Sequence, residues 1–219
     1  MFNEANAVEE FLLGRMTGVG LTYVHGPRLA RTSNDAMLEA SVRTALLRLN
    51  PAIAADPDRA DEVIYKLRGV ILGVAGDGLV RANEEFMAWV RGDRTMPFGP
   101  NGEHTTVCLI DFDDPLNNEF VVANQVVCML GPEKRFDLVG FVNGLPLVLG
   151  EAKSPTRPSV SWVDGAAQVH HDYEQSVPGF FVPNVFSFAS EGKAFRYGAV
   201  RMPIQLWAPW RAGGDELAG

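Results

Sequence analysis

Apolar residues recur at helical spacing in the first part of the chain and at strand spacing afterwards, and the change falls near Gly92. Residues 3–13 predict a short helix with Val8, Phe11 and Leu12 on one face. Ser33-Asn34 can cap a helix that runs to Leu49 and stops at Asn50-Pro51. Asp56-Pro57 opens another, in which Val63, Ile64, Leu67, Val70 and Ile71 fall on one side. A further helix over residues 79–90 carries Ala82, Phe86 and Trp89 on its apolar stripe. These stripes read as faces that pack in a core.

Beyond Gly92, residues 104–110 and 119–130 are rich in Val, Thr, Phe and Cys and predict strands, with Asp113-Asp114-Pro115 as the loop between them. Residues 135–142 and 147–153 predict two more strands around Asn143-Gly144, the strongest short-range hairpin signal in the chain. A helix is expected over residues 160–174. A second hairpin, residues 184–189 and 194–200, turns at Ser190-Glu191-Gly192. The fold class that follows is α/β: a core with a central mixed sheet flanked by helices over residues 101–205, and a helical N-terminal region over residues 1–100 packing on it. Residues 206–219, with their Gly-rich end, read as linker.

Composition narrows the class. The chain has 219 residues, 47% hydrophobic and 21% charged, which supports a sizeable core without staples. Cys108 and Cys128 sit in apolar runs and read as buried free thiols, which suits a cytoplasmic protein. The N-terminus lacks the basic start and apolar stretch of a signal peptide, and no run is long enough to span a membrane. A net charge of −8 argues against a free-standing nucleic-acid binder, unless other parts of an assembly hold the polymer.

The candidate chemistry lies in the first hairpin. Glu151 and Lys153 are two apart on an expected strand and therefore leave the same face. The side chain of Ala152 points the other way, and its carbonyl is available as a further hard oxygen ligand. Folding at Asn143-Gly144 returns the chain so that Asp137 comes near Glu151. Carboxylates that hold a divalent cation, with an ammonium group beside them, are what phosphodiester hydrolysis requires. Spacing alone leaves a solvated strand end as an equal alternative. Glu191-Gly192-Lys193 repeats the short pattern, but in a turn with no partner Asp, and reads as solvent-facing. Parity is the obstacle: a strict two-residue turn pairs Val142 with Leu145 and sets Asp137 opposite Gly150, facing away from Glu151. The site thus requires a bulge or a longer loop in this hairpin.

The stretch LIDFDDPLNNEFVVANQVVCMLGPEKRFDLVGFVNGLPLVLGEAKSP, residues 109–155, resembles the N-terminal nuclease domain of the restriction (motor) subunit of type I restriction-modification enzymes. FVNGLPLV followed by Glu-x-Lys-x-Pro is its most specific part. ADEVIYKL and ANEEF upstream are similar to that family's helical region. The resemblance implies a PD-(D/E)xK restriction-endonuclease-like core, with Asp137, Glu151 and Lys153 catalytic. Asp137, Glu151 and the Ala152 carbonyl would hold Mg²⁺, for which Mn²⁺ can substitute. It also implies a supporting or DNA-contacting pair, Gln168 and Tyr173, although four residues separate them where the family shows three. Glu62 and Glu85 are candidates for an additional acid from the helical region. Implied partners are double-stranded DNA and the modification and specificity subunits; no membrane is involved.

The family's motor binds ATP, but Gly73-Val74-Ala75-Gly76-Asp77-Gly78 lacks the Lys and hydroxyl of a phosphate loop. ATP is therefore expected only in the full-length subunit, with residues 206–219 leading toward that motor. His170-His171, His25 and His104 read as structural or surface residues, since adjacent helical residues do not form a chelate. A degenerate fold used only for docking and a stand-alone DNA nuclease of the same superfamily are the rival readings.

Overall fold

A computed structural model describes residues 7–154 and 160–210. Pro155, residues 3–6 of the first expected helix and the Gly-rich end of the tail lie outside the described residues. The centre is a seven-stranded mixed sheet in the order β1-β4-β5-β6-β7-β8-β9. Its strands are β1 (Thr22–His25), β4 (Phe120–Cys128), β5 (Lys134–Val142), β6 (Leu145–Ala152), β7 (Phe186–Ser190), β8 (Phe195–Gly198) and β9 (Ala208–Pro209). β1 runs parallel to β4, and β6 runs parallel to β7; the other neighbours are antiparallel.

Helices cover both faces. On one lie α2 (Glu39–Leu49), α3 (Pro51–Ala54), α4 (Asp58–Asp77) and α5 (Leu79–Val90), whose Val42, Leu46, Leu67, Ile71 and Phe86 share a core with Val139, Phe141 and Leu149 of the sheet. The apolar positions of α4 and α5 are therefore the buried ones, as their periodicity predicts. On the other face α1 (Ala7–Gly18) seats Val8 and Leu12 on Val122, Leu138 and Phe188. The parallel β6–β7 pair is joined through α6 (Trp162–Ala167), a π-helical turn (Gln168–Tyr173), α7 (Glu174–Ser176) and α8 (Pro178–Phe181). No helix among the described residues is long and apolar enough to cross a membrane.

Four local departures from the sequence pattern are found, three of them with evident physical causes. Strand β1 lies within the stretch read as helical; it has only four residues, three of them exposed, so periodicity carried no signal. The strand expected over residues 104–110 shrinks to β3 (Thr105–Thr106), paired with β2 (Thr95–Met96) in a separate ribbon. Asn50 takes over the backbone that follows, accepting from Cys108 N at 2.8 Å and donating to Cys108 O at 2.8 Å. The helix expected from Ser33 begins at Glu39 instead, and the Ser33 carbonyl accepts from Met129 N at 2.7 Å. Residues 208–209 of the stretch read as linker form β9 on the sheet edge.

The Asn143-Gly144 turn is a two-residue hairpin with both φ values positive, +49° and +81°. Asn143 is buried, donating to Leu109 O and Asn118 Oδ1 and accepting from Arg48 and Glu119 N. Val142 pairs with Leu145 and Phe141 with Pro146, as a strict turn requires. Gly140 then pairs with Val148, so Leu147 is the extra residue of a β-bulge. The register beyond it is Leu138 to Gly150, and the next step sets Asp137 opposite Glu151. The irregularity that the site required is present.

Gly144 meets α2 closely: a Cβ there would lie 2.5 Å from the Leu38 carbonyl, which adds to the penalty of its left-handed φ. Substituting Gly144→Ala is expected to destabilise the chain by about 2 kcal/mol or more in urea unfolding. An unchanged midpoint would mean that the hairpin is not anchored under α2.

Candidate active site

Desolvation governs the site. Glu151 is 3% exposed at the end of β6, and burial together with the facing Asp137 carboxylate raises its pKa to about 7. Its Oε1 accepts from Lys153 Nζ at 2.9 Å. Its Oε2 is buried and accepts no hydrogen bond when ionised; in the protonated acid Glu151 hydrogen-bonds Asp137, which adds to the rise. Asp137 is half-buried; burial pushes its pKa up, opposed by the Ala152 N–H, which donates to Oδ2 at 3.0 Å, and by Lys153. The sequence triad therefore converges. The Ala152 side chain lies on the opposite face, against the cluster under α1, as the strand alternation predicts.

Lys153 also donates to Gln168 Oε1, and Gln168 Nε2 bonds the Tyr173 hydroxyl. Tyr173 OH in turn donates to the Arg135 carbonyl at 3.2 Å, so the chain of contacts runs from β6 through the helix to β5. The extra residue between Gln168 and Tyr173 is taken up by the π-helical turn that spans those two positions. In an i→i+5 turn, residues five apart are stacked as residues four apart are in an α-helix. Both side chains thus face the site. Gly165 of α6 permits the approach: a Cβ there would lie 3.4 Å from Glu151 Cγ and 3.5 Å from Lys153 Cγ. Burial and the nearby Glu151 charge raise the Tyr173 pKa, so its hydroxyl stays protonated.

Neither acid nominated from the helical region reaches the site. Glu62 is exposed on α4, and Glu85 is bound by Arg94 Nε at 2.9 Å. The helical acid that feels the Asp137 charge is Glu9 of α1, 6% exposed, with its pKa raised chiefly by burial. Glu9 Oε1 accepts from Asn124 Nδ2 at 2.7 Å and Oε2 from Gln125 Nε2 at 2.9 Å. Gln125 lies at the level of Asp137 on β4, has φ +52° and makes no ladder pair. Buried residues change parity there: Val121 and Ala123 join the larger core before it, Val126 and Cys128 after it. Its sequence position gave no warning of this, because Glu9 sits next to Glu10 in an otherwise ordinary acidic first turn of α1.

The remaining candidates resolve as structural. Glu191 is not solvent chemistry as its turn suggested: it accepts from Trp162 N at the start of α6 and from Ala194 N, both at 3.0 Å. His25 contacts Asn124 and His104 contacts Thr95. His170 lies 3.4 Å from buried Glu174, whose pKa burial raises to about 7. Gly73 to Asp77 are the last turns of α4, so no phosphate-cradling loop forms there. Cys108 and Cys128 are free.

Among the described residues no three His, Cys, Asp or Glu side chains group closely enough to hold a metal ion. The donor set at Asp137 and Glu151 is two carboxylates and a strand-end backbone. That set suits Mg²⁺, which keeps several waters and is held by one or two carboxylates together with substrate phosphate. The orphaned Glu151 Oε2 is the oxygen that such an ion would satisfy.

The raised pKa values set a pH dependence. Between about 4.5 and about 7, Glu151 and Glu174 bind more protons in the folded chain than in the unfolded one, so stability falls as pH rises through that window. In EDTA, denaturation midpoints are expected to drop across it. Glu151→Gln should recover stability on the order of 1–3 kcal/mol above the window and change little below it. A pH-independent difference between the two proteins would contradict a buried, ionising Glu151.

A family model described as type I restriction enzyme R protein N terminus matches residues 1–204. The chain is 31% identical over 223 aligned residues to the type I restriction enzyme HindI endonuclease subunit of Haemophilus influenzae, covering 96% of this chain and 20% of that protein. It is 28% identical over 217 residues to the putative type I restriction enzyme MjaIXP endonuclease subunit of Methanocaldococcus jannaschii, covering 94% of this chain and 20% of that one. The chain thus spans about a fifth of the length of these relatives. With the hairpin, its bulge and the following helix all inside the matched region, the chain belongs to the family of type I restriction enzyme R protein N-terminal domains.

Proposed function

We propose that this chain is a PD-(D/E)xK nuclease domain that hydrolyses phosphodiesters of double-stranded DNA with Mg²⁺. The observation that carries the reading is a pair of facing desolvated carboxylates, Asp137 and Glu151, beside Lys153, with a Glu151 oxygen that accepts no hydrogen bond once ionised. A module used only for docking has no need to keep such an oxygen desolvated and unsatisfied, which costs on the order of 1–3 kcal/mol. Asp137, Glu151 and the Ala152 carbonyl would hold the ion. When bound, Mg²⁺ polarises the phosphate and lowers the pKa of coordinated water.

The chain's own residues do the rest. Lys153 Nζ carries three protons, and Glu151 and Gln168 accept two of them. The third is offered to a phosphate oxygen or to the attacking water as charge develops. Gln168 holds Lys153 from behind and is itself held by Tyr173, so the ammonium group is placed before substrate arrives. The names of the relatives, both endonuclease subunits, support nuclease chemistry. In an intact type I subunit the motor would use ATP and, with the modification and specificity subunits, would supply grip on DNA. That division accounts for a nuclease domain with a net charge of −8.

The test is cleavage of supercoiled plasmid by residues 1–219 in Mg²⁺ or Mn²⁺. Nicking and linearisation should require the metal, and Lys153→Ala and Asp137→Asn should each lower the rate by about 100-fold or more. Within a full-length subunit, Lys153→Ala should abolish DNA cleavage and leave ATP hydrolysis intact. Cleavage that persists in EDTA, or in both variants, would overturn the proposal.

A further inference from the structure

We infer that Arg135 is a DNA-backbone contact of this site, gripping a phosphate next to the scissile one; the inference rests on the nuclease reading above. Arg135 precedes Asp137 by two residues on β5 and is exposed, and its charge acts on Asp137 and on Glu9 of α1. Phe136 between them is locked among Tyr173, Phe180 and Phe181, which anchors this stretch of β5. The Arg135 carbonyl is the last acceptor of the Lys153–Gln168–Tyr173 relay, so its backbone is held by the same contacts that place the catalytic lysine.

The charge of Arg135 reaches both Asp137 and Glu9, yet no ion pair joins it to an acid among the described residues, and it is exposed. The cations around it are already engaged. Lys134 is bound to Asp172 at 2.6 Å, Arg31 donates to the carbonyls of Asp35 and Val127, and Lys153 is held within the site. Arg135 is thus an exposed guanidinium with no ion pair among the described residues, anchored at its backbone, at the rim of a site that must receive an anionic polymer. A planar guanidinium suits a phosphate bidentately. A purely local role is the alternative: Arg135 keeps Asp137 ionised for the metal and touches no substrate.

Salt dependence separates the two. Binding of a fluorescein-labelled DNA duplex to residues 1–219 is followed by anisotropy over a range of salt, with Ca²⁺ replacing Mg²⁺ so that DNA is held uncut. Plasmid cleavage in Mg²⁺ is measured in parallel. Arg135→Ala should weaken binding severalfold at low salt and reduce the slope of log K against log salt by about one, while Arg135→Lys keeps the slope. In cleavage, KM should rise more than kcat falls. If the parent chain cleaves DNA but the slope is unchanged, or if only the Mg²⁺ concentration for half-maximal rate moves, the phosphate contact is refuted and the nuclease reading stands. DNA cleavage by a full-length subunit that survives both Asp137→Asn and Glu151→Gln would refute both.

Discussion

The site depends on the parity of two neighbouring strands. A two-residue turn at Asn143-Gly144 by itself sets Asp137 across from Gly150, with its side chain on the wrong face for Glu151. Leu147, inserted as a bulge, advances the pairing by one and brings Asp137 across from Glu151. The hairpin end is held meanwhile by the four hydrogen bonds of buried Asn143 and by the contact of Gly144 with α2, so the shift is confined to β6. A second one-residue insertion, the π-helical turn from Gln168 to Tyr173, solves the same problem on the helix. Both irregularities re-aim side chains at the site, a third lies beside them at Gln125 of β4, and bulges and π-turns recur at functional sites.

What converges there is electrostatically uneasy. Glu151 is buried, faces another carboxylate and has one oxygen unsatisfied; Lys153 compensates only in part. Glu9 adds a third negative charge from α1, but both its oxygens are occupied by Asn124 and Gln125. It feels the Asp137 charge and is not a free ligand. A divalent cation relieves repulsion and desolvation together, the usual reason for concentrating acids that would otherwise lower stability.

Much of this was legible in the sequence, and the reasons are specific. The Asn-Gly turn, the Glu-x-Lys pattern on one strand face and the need for a bulge all follow from period-two geometry. Periodicity also reveals α4 and α5, because their apolar stripes are long. Glu9 was not legible, since its partners Asn124 and Gln125 lie more than a hundred residues away and nothing in α1 marks it. Strand β1 escaped for the opposite reason: it is short and mostly exposed, and it exists because β4 offers it an edge. The spacing of Gln168 and Tyr173 differs by one residue from the family pattern, and the π-turn spans that additional residue, so both side chains still meet Lys153 or each other.

The central claim is that Asp137 and Glu151 together hold a divalent cation. Crystals grown with Mn²⁺, with diffraction recorded at the manganese absorption edge, test it most directly. The account predicts an anomalous peak within about 2.0–2.3 Å of an oxygen from each carboxylate, with Lys153 still bonded to Glu151. Ordered, unliganded carboxylates with no peak between them at saturating Mn²⁺ would contradict it.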